Sequence, residues 1–360
     1  MGTIQDIFRT FGPEYLQRFG EAIPHQHRKV IDAIVRCRTE DSGVAIFQCE
    51  QCGQPHIVLR SCGNRHCPNC QYLKSQEWLH NQIERQLPGH HFMLTFTLPE
   101  EIRPFFRSHQ KAAYGALFQA SSDAIKKLAS DQKHIGGDLP GFFGVLHTWG
   151  RQLHYHPHIH YVVPGGALST QDGSWHPSRL DFYLPVRPLS TIYRAKFRDA
   201  MAKVGLLPSI PNHVWQLDWN VNCQAVGASE SSLKYLAPYV FKVAISDSRI
   251  HKVEDRKVSF RYRKPHSRRM RTVALDALEF IRRFLQHVLP RGFMKIRYYG
   301  FMSPSCAVPL EKIRALIELA WGFRILTAQM DIQLPPPMAC PLCGGILRYR
   351  FSLAPRQRSP

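Results

Sequence analysis

The hydrophobic pattern is sharpest in the middle of the chain. His91-Phe92-Met93-Leu94-Thr95-Phe96-Thr97-Leu98-Pro99 reads as a strand stopped by proline. Apolar positions then fall at helical spacing, at Ala113, Leu117, Ala120, Ala124 and Leu128, which predicts a helix over 109–129. Residues 141–149 and 156–163 read as two strands joined by a turn near Gly150. Beyond them the pattern predicts a helix over 190–204, a strand over 213–221, and an apolar helix over 231–245 interrupted by Pro238. The order strand-helix-strand-strand-helix-strand, with a further helix, predicts an α+β fold with a ferredoxin-like antiparallel sheet.

The flanks differ from this core. Up to about residue 88 the chain is cysteine-rich, with helical patterning at 14–16 and 27–35. Past residue 246, Lys257-Val258-Ser259-Phe260-Arg261-Tyr262-Arg263 alternates like a strand, and 270–275 is its expected hairpin partner. Lys264, His266, Arg268, Arg269 and Arg271 crowd the connection, and a helix with Leu278, Ile281, Phe284, Leu285 and Val288 follows. Pro335-Pro336-Pro337 marks a linker. The expected division is 1–88 (cysteine-rich), 89–245 (alternating strands and helices), 246–330 (basic hairpin and helical region) and 331–360 (tail with a CxxC knuckle).

A chain of 360 residues exceeds the usual single-core size, and 44% hydrophobic content argues against disorder. Lys plus Arg number 47 against 27 acids, a net charge of +20 that favours a polyanionic partner, nucleic acid first. The start of the sequence lacks the basic and apolar regions of an export signal, and no apolar run approaches the ~18 residues of a membrane span. A cytoplasmic protein without a membrane partner is expected. In that compartment ten cysteines suggest thiols or metal ligands rather than disulfides.

The cysteine spacing sharpens this. Cys49-Glu50-Gln51-Cys52-Gly53 and Cys67-Pro68-Asn69-Cys70 are two CxxC knuckles, and their spacing predicts one structural zinc on Cys49, Cys52, Cys67 and Cys70. Cys37, Cys62 and His66 are left as a candidate second zinc set. Arg65 and Lys74 beside the knuckles, with Arg261, Arg263, Arg268 and Arg269 further on, are candidate DNA contacts. Cys340-Pro341-Leu342-Cys343-Gly344 is half a site, to be completed by Cys306 and a histidine or by a neighbouring chain, or left as a surface dithiol.

His154-Tyr155-His156-Pro157-His158-Ile159-His160 leads into an apolar stretch. If Ile159 faces a core, His158 and His160 both project from the opposite face of the strand. Pairing across the Gly150 turn brings in His147 as a third candidate ligand. Neutral imidazoles bind a hard Mg²⁺ or Mn²⁺ ion weakly, leaving phosphate oxygens to complete the shell. Tyr235 and Tyr239 lie four apart, with Lys242 three residues on. A tyrosine hydroxyl can attack phosphorus and a lysine can neutralise phosphate charge. Pro238 favours a helix restarting there, which ranks Tyr239 ahead of Tyr235 as first nucleophile.

The combination resembles the HUH nucleases, and in particular the paired-tyrosine rolling-circle transposases of the insertion-sequence ninety-one family. The matching stretches are 61–70, 95–99, 147–150, 156–160, 235–246 and 282–293. The resemblance implies that His158 and His160 hold the metal. It implies that Tyr235 and Tyr239 form 5′-phosphotyrosine links to single-stranded DNA at transposon ends and target. A plasmid or phage replication initiator would use the same set, and a zinc-containing DNA-binding regulator would use none of it.

Overall fold

The computed structural model describes residues 2–228, 244–264, 267, 269–322 and 336–355. Helix α1 (Ile4–Phe19) opens with a capping box in which the Thr3 hydroxyl accepts from the Asp6 N–H and the Asp6 carboxylate accepts from the Thr3 N–H. Helix α2 (His25–Arg36), strands β1 (Val44–Cys49) and β2 (Pro55–Leu59), and helix α3 (Tyr72–Glu84) complete the N-terminal region.

The middle of the chain supplies β3 (His90–Thr97), α4 (Arg103–Ser108), α5 (Gln110–Ala129), β4 (Phe142–Trp149) and β5 (Tyr155–Pro164). A small pair, β6 (Gly166–Leu168) and β7 (Trp175–Pro177), precedes α6 (Val186–Lys203) and β8 (Val221–Ala228). Strands β4, β5, β3 and β8 lie side by side in that order, every pair antiparallel. The fold is α+β, with the βαββαβ order of a ferredoxin-like sheet.

Period-two alternation divides this sheet. Phe92, Leu94, Phe96, Leu146, Ile159, Tyr161 and Val163 face a core shared with α5 and α6. On the opposite face Val145 and Val162 meet Phe143 and Trp78 of α3, and the histidines lie further along.

One strand is displaced from its expected place. Residues 213–221 were predicted extended, but Asn212–Gln216 form a 3₁₀ turn and the strand is Val221–Ala228. Val214 and Trp219 are buried under Tyr193 and Phe197, with the Trp219 indole donating to the Val214 carbonyl at 3.2 Å. Those apolar residues close the end of the core instead of alternating across a sheet.

The remaining elements are β9 (Ile250–Glu254), β10 (Lys257–Arg263), β11 (Met270–Asp276), α7 (Ala277–Leu285), β12 (Ile296–Tyr299), α8 (Leu310–Trp321) and β13 (Leu347–Leu353). Strands β9, β10 and β11 form a meander whose inner face, with Val258 and Phe260, packs with α1, α2 and α7 around a second core. Phe8 of α1 and Phe284 of α7 meet edge to face there, ring centroids 5.0 Å apart. Strand β12 extends the central sheet beyond β4, an edge the sequence pattern did not announce. Strand β13 crosses to the other end of the chain and pairs with β1. No described helix is long and apolar enough to cross a membrane.

Candidate metal centres

Three histidines converge on the sheet face opposite the main core. His147 on β4 pairs directly with His158 on β5, and His160 stands opposite Thr95 on β3. Ring centroids are 5.3 Å apart for His147 and His158, and 4.8 Å for each of the other two pairs. One ring nitrogen from each lies within 4.8 Å of the others. The backbone sets this arrangement, because all three residues sit in paired strands of a closed ladder.

Hydrogen bonds orient two of the rings. His158 Nδ1 lies 2.7 Å from the His156 carbonyl, so it must donate. His160 Nδ1 lies 2.9 Å from the Thr95 hydroxyl. The first contact fixes His158 as the Nδ1–H tautomer, whose Nε2 is the nitrogen able to ligate a metal, the usual outer support of a histidine ligand. Burial pushes the His160 imidazole down to about 4 and holds His147 and His158 well below their usual value. All three are therefore neutral at physiological pH, the state that ligates. His147 also stacks on Trp149 at 5.0 Å, and the Lys295 Nζ lies over the Trp149 ring, 4.8 Å from its centroid.

His154 and His156 stand outside the trio. His154 is exposed and meets the Gln152 side chain at 3.1 Å, while His156 Nδ1 accepts from Arg103 at 3.0 Å. Neither Thr95 nor Arg103 carried a role in the sequence pattern. Each is recognisable only once the register of β3 and β5 and the position of α4 are known.

The cysteines form two groups of four, and these are not the groups that spacing predicts. Cys37, Cys62, Cys67 and Cys70 make one; Cys49, Cys52, Cys340 and Cys343 make the other. The predicted quartet of Cys49, Cys52, Cys67 and Cys70 is thus divided between two sites. The reason is topological: β1 and β2 carry the first knuckle away from α2, whose end places Cys37 beside the second. Sulfur separations of 3.4–3.8 Å far exceed the ~2.05 Å of a disulfide. They match the ~3.8 Å edge of a tetrahedron with Zn–S bonds of roughly 2.3 Å.

His66, expected with Cys37 and Cys62, is replaced in that site by Cys67 and Cys70. Its buried ring instead accepts the Leu289 N–H at 3.4 Å, and burial pushes it down to about 3. Arg65, expected to meet DNA, directs its guanidinium at the carbonyls of Phe293 and Pro290, at 2.7 and 2.6 Å, so its role in the fold is to fasten the 289–293 turn. Lys74 is exposed at the rim of a cavity of about 270 Å³ whose other walls include His66, Thr148, Trp149 and Lys295. Arg261 and Arg263 are exposed on the outer face of β10, and Arg269 is exposed before β11. Arg268, Tyr235, Tyr239 and Lys242 lie outside the described residues.

Comparison with known proteins agrees with this geometry. Residues 7–98 match the model of a transposase zinc-binding domain, and residues 141–309 match that of a putative transposase. A protein described as putative transposase y4qJ, from Sinorhizobium fredii, is 37% identical over 320 residues, covering 83% of this chain and 80% of its own. The transposase for insertion sequence element IS801, from Pseudomonas savastanoi pv. phaseolicola, is 25% identical over 356 residues, covering 91% of this chain and 84% of its own. No solved structure matches. The chain belongs to the IS91 family of transposases and carries that family's N-terminal zinc-binding domain.

Proposed function

We propose that this transposase nicks and rejoins single-stranded DNA at the ends of its insertion sequence and at the target, through a 5′-phosphotyrosine intermediate in rolling-circle transposition. The observation that carries the reading is the convergence of His147, His158 and His160, neutral and oriented, on one face of a rigid sheet. The donor set suits a divalent ion that leaves positions open for phosphate oxygens, with Mg²⁺ or Mn²⁺ as the ion. When bound, that ion withdraws charge from the scissile phosphate.

The assigned chemistry balances on the protein's own groups. The Tyr239 hydroxyl attacks phosphorus, the phosphorus–O3′ bond breaks, and the proton ends on the departing 3′-hydroxyl. Tyr235 serves a second strand in the same way, so both cleavages can precede rejoining without hydrolysis. Lys242 stabilises the phosphate charge as it develops. The zinc-bearing region up to about residue 88 and the exposed Arg261, Arg263 and Arg269 hold the DNA backbone. Cytoplasmic action on nucleoid DNA follows from such a substrate.

Labelled single-stranded DNA from the element's end, incubated with the chain and Mn²⁺, should give an adduct that resists denaturation. His158→Ala with His160→Ala should abolish it while leaving DNA binding intact. Absence of adduct with every divalent ion tried would favour a regulator that binds DNA without cutting it.

A further inference from the structure

We propose a second structural zinc site that clasps the two ends of the chain together, with Cys49 and Cys52 from the N-terminal hairpin and Cys340 and Cys343 from the C-terminal tail. Cys52 and Cys340, separated by 288 positions in sequence, bring their sulfurs to 3.8 Å, and Cys49 and Cys343 approach to 3.5 Å. All four are free thiols. A tetrahedral S₄ set at this spacing is a closed zinc site, without an open position for chemistry.

The two halves are built alike, which is a second, independent observation. In each knuckle the residue after the second cysteine is a glycine in the left-handed region, Gly53 at φ +70° and Gly344 at φ +76°. In each, that glycine's N–H returns to the carbonyl of the first cysteine, Gly53 to Cys49 at 3.0 Å and Gly344 to Cys340 at 2.8 Å. The Cys52 N–H also points at Cys49 Sγ, 3.5 Å away. Gly345 lies against the site, since a β-carbon there would stand 2.9 Å from Cys49 Sγ and 2.8 Å from the Gln51 side chain.

The surrounding sheet gives the metal its purpose. Strand β13 pairs with β1 over Val44–Cys49, and β1 pairs with β2. Apart from the ligand Cys49, none of the described residues of these three strands is buried, and none joins a hydrophobic core cluster. Ile57 is 72% exposed, and Leu59, Phe351 and Leu353 are exposed as well. Three short strands without a buried face do not hold together by burial, so the ligand bonds must supply the folding free energy. The exposed Arg348–Glu50 ion pair at 2.7 Å adds little.

The test counts metal in the full-length protein by inductively coupled plasma mass spectrometry. Cys340→Ser with Cys343→Ser should hold one zinc fewer per chain than the parent. Cys49→Ser with Cys52→Ser should lose the same one, and all four substitutions together should lose no more. Amide exchange at 347–353 should become fast in each variant, while exchange at 277–285 stays slow and shows that the rest remains folded. Should the first pair perturb folding, the tail variant alone decides. Unchanged zinc in the tail variant would overturn the proposal. So would a deficit confined to dimers, which would place the knuckle's partner on a neighbouring chain.

Discussion

The two four-cysteine groups use the same ligand type and sit in opposite surroundings. Cys37 and Cys67 are fully buried in the core that joins α1, α2, α7 and the β9–β11 meander. Buried Gln5 donates to the carbonyls of Ile34 and Cys37 and accepts from Asn69, so the site is hydrogen-bonded into its neighbours. In the other group Cys49 and Cys340 are buried, but Cys52 and Cys343 are exposed in turns beside strands that join no core cluster. A ligand set inside a core shares its stability with the whole domain; one outside it stabilises only what it touches.

The difference can be probed at three scales. Cys67→Ser should have the largest effect: an open buried site and cooperative loss of helix in a thermal melt by circular dichroism. Cys343→Ser should leave that melt nearly unchanged. Equal melts would remove the contrast. Phe284→Ala, which opens a cavity against Phe8, should cost about 3–5 kcal/mol in a denaturant titration. It should weaken zinc retention at Cys37, Cys62, Cys67 and Cys70, and leave the Cys49 group untouched.

Acid should separate the regions more gently. His66, buried beside the first group, is pushed down to about 3, below its unfolded value near 6.5. The unfolded chain therefore binds a proton first as pH falls. Stability is full above about pH 6.5 and declines from there toward pH 3, by about 1.4 kcal/mol per unit for this residue. In His66→Gln that slope should shrink, as read by denaturant midpoints between pH 6.5 and 5. An unchanged slope would assign the acid sensitivity elsewhere.

The same contrast explains what the sequence disclosed. Element types followed from period: 109–129 and Gln110–Ala129 differ by one residue, and β4 and β5 lie within one residue of their predicted ends. That His158 and His160 share one face was readable because strand alternation is local, and that His147 joins them because a short turn fixes its partner strand. Cysteine pairing was not readable. A CxxC motif specifies a knuckle, but which knuckles meet depends on where β1, β2 and β13 run, over separations of hundreds of residues. The intramolecular partners of Arg65 were hidden for a similar reason: a cation beside a zinc knuckle looks solvent-facing until the 289–293 carbonyls arrive. Edge strand β8, made of Val221-Asn222-Cys223-Gln224-Ala225-Val226-Gly227-Ala228, has few of the branched and aromatic residues that announce a strand.

The proposed strand transfer runs through tyrosine chemistry at the histidine trio. Trypsin should cut after Lys234 and Lys242, releasing residues 235–242 with both candidate tyrosines. Mass spectrometry of the protein–DNA adduct should find this peptide carrying the nucleotide phosphate, with fragmentation placing it on Tyr239 after a single cleavage. A phosphate linked to any residue outside 235–242 would contradict the mechanism.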